Sequence, residues 1–120
     1  MTLSALTRAI NAGPRTAAGP DGVYPGDLRC LNETAKKWLV ALLNMVEEGE
    51  PWPRGVREAR AVTLAKTSPP SAEDPFQYRL LLMLPALYRL WARMRLYDME
   101  AWIETWGLPE MFAGVPRKWC

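Results

Sequence analysis

Apolar residues recur along this chain at two periods, and the period divides it into elements. Leu3, Leu6 and Ile10 stand three and four apart, which predicts a short helix over Thr2 to Ala12, ended by Gly13-Pro14. Pro25 suits the first turn of a brief helix running to Leu31. The clearest helical stripe is Ala35, Trp38, Leu39, Leu42, Leu43 and Val46, with Lys36, Lys37, Glu47 and Glu48 off it. It predicts a helix over Glu33 to Glu48, with Asn32 as N-cap and Gly49 as stop. Glu50-Pro51-Trp52-Pro53 cannot continue that helix and should run extended. Ala59 to Lys66 reads as a strand, and Tyr78 to Met83 as a second strand paired with it across a Ser- and Pro-rich loop, Thr67 to Pro75. Leu84 to Trp106 is the second strong helix: Leu87, Leu90, Trp91, Met94, Tyr97 and Ala101 share helical spacing, and Gly107-Leu108-Pro109 breaks it.

The expected fold class is therefore mixed α/β, of the α+β kind. Its two long helices would pack on a small antiparallel hairpin and cover it, because a lone hairpin is marginal in water. The chain has 120 residues, one domain's worth, with 49% hydrophobic and 23% charged residues, an ordinary globular balance. Six Trp, four Tyr and two Phe would carry much of the packing.

The formal net charge of +2 conceals an uneven distribution. From Arg54 to Arg95 eight basic residues face three acidic ones, a net +5, whereas Leu96 to Glu110 holds four acids and no base. A basic middle fits a polyanionic partner, and it also fits a solvated Arg-rich helix face. Histidine is absent, which removes Ser–His triads and His–metal sites. Cys30 and Cys120 make neither a disulfide framework nor a zinc spacing. No apolar run approaches the roughly 18 residues of a membrane span, and residues 1–13 lack the apolar core of a signal peptide, so the expectation is an intracellular, soluble chain without membrane contact.

Four features fall in a telling order. Gly19-Pro20-Asp21-Gly22 comes first, then a helix ending in Glu48-Gly49-Glu50-Pro51-Trp52-Pro53. Ala59-Arg60-Ala61-Val62-Thr63-Leu64-Ala65-Lys66 follows, and Phe76-Gln77-Tyr78-Arg79-Leu80-Leu81 leads into a helix with Tyr88, Leu90, Trp91 and Arg95. In this order they resemble the fingers region at the start of non-long-terminal-repeat (LINE-type) retrotransposon reverse transcriptases. The resemblance spans about residues 16–114, with residues 1–15 a preceding helix and linker and residues 115–120 a truncated tail. It departs from the family pattern at Leu80, where the family has Pro, and at Glu110-Met111-Phe112-Ala113-Gly114, where the family shows Gln ahead of a Gly-Phe pair.

The resemblance implies a segment of an RNA-directed DNA polymerase. Phosphoryl transfer by such an enzyme needs paired carboxylates on two metal ions, magnesium in an intact polymerase, plus cations on the triphosphate. The family's carboxylates lie in a palm domain, and no Asp-Asp pair occurs in this chain, so the expectation is a fragment with no catalytic residue and no cofactor of its own. The partners implied for an intact enzyme are the RNA or DNA template-primer, the incoming deoxynucleotide and the missing palm. Lys66 and Arg79 match the family's two fingers residues that contact the nucleotide phosphates. Either could equally be a solvated surface residue, Arg79 with an acidic neighbour such as Asp74. Arg89, Arg93 and Arg95 are candidates for a nucleic-acid backbone channel, which needs only spaced cations. They could instead pair internally, Arg95 with Asp98 and Arg93 with Glu100. Trp38, Trp52, Trp91, Trp102 and Trp106 read as core rather than as base-stacking platforms. Asp21 reads as a local hydrogen-bonding cap rather than a metal ligand. The rival readings are a non-enzymatic RNA-binding or protein-interaction module derived from such an element, and a decayed reading frame.

Overall fold

A computed structural model describes residues 1–13, 16–66 and 74–106. Most of the expected Thr67 to Pro75 loop, the Gly107-Leu108-Pro109 break, Cys120 and the end of the family-like stretch lie outside the described residues. The described chain is α+β: three α-helices and a two-stranded antiparallel sheet.

Helix α1 covers Leu3–Asn11, where the side chain of Thr2 caps the start by accepting from the Ala5 amide. Helix α2 covers Glu33–Glu47 with Asn32 as its N-cap, Oδ1 accepting from the Ala35 amide at 2.8 Å. At its end Gly49 takes a φ of 106°, a conformation that disfavours any side chain. On its first turn Lys37 Nζ lies 2.8 Å from Glu33 Oε1, and that hydrogen bond and charge hold the Glu33 carboxyl below the ordinary glutamate range. Between α1 and α2 a 3-10 turn forms at Asp27–Cys30, where the brief Pro25-led helix was expected. After Pro51-Trp52-Pro53, which carries no regular secondary structure, comes a 3-10 turn at Arg54–Val56 that the hydrophobic pattern did not signal.

Strand β1 is Arg60–Ala65 and strand β2 is Tyr78–Met83, paired from Arg60 opposite Met83 to Ala65 opposite Tyr78. Helix α3 is Ala86–Trp106. It starts two residues later than the apolar pattern suggested, because Pro85 bars helical geometry at Leu84. Proline also leaves this helix end without a capping side chain. Asp21, far back in the Gly19-Pro20-Asp21-Gly22 turn, supplies the missing acceptor: Oδ2 takes the Ala86 amide at 2.9 Å and Oδ1 takes the Val23 amide at 3.3 Å. The rest of the turn is built for this approach. A Cβ on Gly19 would lie 2.4 Å from the Leu84 carbonyl oxygen, and Gly22 has a φ of 69°.

The core is aliphatic. Leu6, Ala9 and Ile10 of α1 pack with Leu43 of α2 and with Leu90 and Met94 of α3, so the shortest α-helix is the one that joins the two long ones. The expectation that Trp would carry the packing is corrected here. Trp38 is 72% exposed, and Trp102 and Trp106 are also exposed, while Trp52 and Trp91 sit half-buried at the core's edge. There they form, with Tyr88, a cluster of rings whose centroids are 5.5–5.6 Å apart. A stripe of helical spacing is wider than the buried line of a three-helix contact, and the largest side chains fall on its margins.

The covering of the hairpin is likewise corrected in detail. Leu80 is 66% exposed and Leu82 62%, and most other strand positions are exposed as well. Hairpin and helices make one α+β unit, but the Trp-bearing helices leave the strands open.

Candidate functional site

Side chains alternate along a strand, and residues directly opposite in a pair share a face. The register therefore sorts the hairpin into two faces. Arg60, Val62 and Leu64 share one with Met83, Leu81 and Arg79; Ala61, Thr63 and Ala65 share the other with Leu82, Leu80 and Tyr78. Pairing continues one step past β1, where the Lys66 amide donates to the Gln77 carbonyl at 2.7 Å. Lys66 thus falls on the face of Leu64 and Arg79, diagonal to Arg79 at a backbone separation of roughly 7–8 Å.

The two cations that the family likeness singled out are brought together at the loop end of one hairpin face. Lys66 Nζ donates to the Phe76 carbonyl at 2.8 Å, which turns it toward the Pro75–Gln77 3-10 turn and leaves further donors on the ammonium. Asp74, the acid considered as a neighbour for Arg79, uses Oδ1 to accept the Phe76 amide at 2.9 Å. Among the described residues no ion pair involves Arg60, Lys66 or Arg79. All three are exposed.

The cations of α3 have a different setting. Arg89 donates to Thr16 Oγ1 at 3.0 Å and to the Ala17 carbonyl at 2.9 Å, strapping the segment ahead of the Gly19-Pro20-Asp21-Gly22 turn onto α3. Arg93 donates to the Ala9 carbonyl at 3.3 Å near the C-terminal end of α1, an end whose orphan carbonyls favour a cation. Arg29 serves the same end, donating to the Asn11 and Gly13 carbonyls at 3.3 and 2.7 Å. Arg95 lies 3.4 Å from Glu47 and 3.2 Å from Asp98, the latter as the sequence allowed. Arg89 and Arg93 border a small cavity of about 150 Å³ with Thr16 and Gly13, whereas Arg95 borders another with Met1, Arg8 and Asp98. The three arginines grouped as a backbone channel are therefore half-buried, each with internal partners, and are divided between two places.

An apolar groove of about 490 Å³ runs along α2, lined by Leu31, Trp38, Leu39, Leu42, Val56 and Leu87 among others. Among the described residues no group of three or more His, Cys, Asp or Glu is placed to hold a metal ion. No described helix is long and apolar enough to cross a membrane.

Sequence reasoning missed one cation. Arg60 belonged to the basic stretch but had no role, although its even spacing from Lys66 already put both on one side of any straight strand. Comparison with protein-family models found no match, and neither did comparison with curated proteins or with solved structures.

Proposed function

We propose that this chain is a fingers segment of an RNA-directed DNA polymerase of the non-long-terminal-repeat retrotransposon kind. In this reading Lys66 and Arg79 hold the phosphates of an incoming nucleotide, and the metal-bearing carboxylates of an intact enzyme come from its palm. The observation that carries the reading is the position of both cations at the loop end of one hairpin face. A compact ammonium and a planar guanidinium fork, with no carboxylate of the described residues neutralising either, suit an anion with several oxygens. Their work is to bind and orient. Arg89, Arg93 and Arg95 act in this scheme by fastening the helical body, and any contact they make with a nucleic-acid backbone must compete with their internal partners.

Titration of the full chain with a fluorescent deoxynucleoside triphosphate tests the assignment. Charge-assisted hydrogen bonds contribute about 1.5–3 kcal/mol, so Lys66→Ala and Arg79→Ala should each weaken binding by about tenfold or more at low salt. Unchanged affinity in both variants would remove the phosphate site. A protein-interaction module derived from such an element is the second reading, favoured by the exposed Leu80 and Leu82 on the opposite face.

A further inference from the structure

We propose that the small cavity between α1 and α3 is a binding site for a free tetrahedral oxyanion, of the size of phosphate or sulfate. Arg89, Arg93 and Thr16 hold the ion, and the ion fastens α1 to α3. The inference is independent of the reading above, since none of these residues lies on the hairpin.

Arg89, Arg93 and Thr16 border a cavity of about 150 Å³ whose wall also includes Ile10, Leu28 and Leu90. Among the described residues no carboxylate lines it, and neither arginine makes an ion pair. Asp21, which caps the same helix, has its carboxylate engaged by two amides and borders the apolar groove instead. Two guanidiniums therefore stand one turn apart on α3, where like charges repel, beside an apolar wall that screens them poorly. The adjacent end of α1 supplies only roughly half a negative charge, and Arg29 donates to it as well. The positive excess selects an anion. The donors fit one too. Arg89 uses Nη1 on Thr16 and Nη2 on Ala17, but its Nε is buried and has no hydrogen-bond partner. A buried N–H without an acceptor is costly, and an anion oxygen would satisfy it. Arg93 directs one donor at the Ala9 carbonyl, and Gly13 gives it room, since a Cβ there would lie 2.8 Å from Nη1. Thr16 Oγ1 accepts from Arg89, which leaves its own hydroxyl hydrogen to donate. Size sets the class of ligand. Pockets for drug-sized molecules begin at about 300 Å³, so this one takes a free ion and not a nucleotide.

The test is the thermal midpoint of the full chain in phosphate or sulfate at low millimolar concentration, against chloride at equal ionic strength. Equal ionic strength removes screening differences, and the low concentration keeps the general effect of such anions on burial small. Phosphate and sulfate should raise the midpoint saturably, by about 5 °C once the ion stands tenfold above its dissociation constant, and chloride should not. Arg93→Gln should abolish the rise. Arg89→Lys keeps the charge but loses the buried Nε, so the ion concentration at half-effect should increase about tenfold or more. The readout is the rise and not the baseline: a variant that has only lost internal hydrogen bonds melts lower and keeps the rise. Either variant decides if the other fails to fold. No rise in wild type, an equal rise in chloride, or an undiminished rise in a folded variant would overturn the site. A rise that disappears in Lys66→Ala would assign the ion to the hairpin and overturn it as well. So would an Arg93-dependent rise with a deoxythymidine decamer, whose strand cannot enter a cavity of this size. Loss of triphosphate binding on changing Lys66 or Arg79 tests the nucleotide site separately, so either inference can fail while the other stands.

Discussion

The helical body and the hairpin use the same residue type in opposite ways. In the body Arg29, Arg89 and Arg93 spend donors on carbonyls and a hydroxyl, and Arg95 pairs with Glu47 and Asp98. On the hairpin Arg60 and Arg79 stand exposed, with no ion pair among the described residues. The leucines divide in the same manner. Leu6, Leu43 and Leu90 are sealed, whereas Leu80 and Leu82 face solvent. Side-chain chemistry alone therefore does not assign a role here. Whether an arginine fastens the fold or is left for a ligand depends on which unsatisfied backbone groups lie within its reach.

This contrast can be broken most sharply at the leucines. Leu90→Ala should cost about 2–5 kcal/mol in urea unfolding, since it empties a sealed site among Leu6, Ile10 and Leu43, while Leu80→Ala should stay within about 0.5 kcal/mol. Equal losses would mean that the hairpin is as much a part of the core as α1. A smaller effect belongs to the joint between the two regions. Gly19→Ala sets a methyl group against the Leu84 carbonyl where β2 passes into α3, and a shift of backbone there should destabilise by about 1–3 kcal/mol. A melting temperature equal to wild type would show that this joint yields freely. The smallest expected difference separates the arginines. Arg89→Gln gives up two hydrogen bonds of the body and should lower stability by about 1 kcal/mol, whereas Arg79→Gln should leave the thermal midpoint unchanged and act only on ligand affinity. A destabilised Arg79→Gln variant would place that side chain in the body's class.

Much of the local architecture was legible in the sequence. The stripe from Ala35 to Val46, with Asn32 before it and Gly49 after it, determines α2 because a helix needs a continuous apolar face, a side-chain acceptor at its start and a residue tolerant of positive φ at its end. The two strands follow from short apolar runs between turn signals, and their even and odd positions already separate Arg60 and Lys66 from Ala61 and Thr63. The order of motifs from Gly19 to Arg95 also suggested a polymerase fingers segment, which stands as a proposal.

Tertiary structure alone decided the rest. No pattern along the chain reveals that Asp21 caps a helix 65 residues away, since the need arises from Pro85 and the acceptor from a distant turn. Nor does spacing tell which apolar face is covered. Trp38 and Leu43 lie on one stripe, yet one is 72% exposed and the other sealed, because α1 meets α2 along only part of that stripe. The register, finally, set Arg79 on the face of Lys66 and Arg60. Sequence fixes alternation within each strand, but a slip of one residue between the strands would have sent Arg79 to the other side.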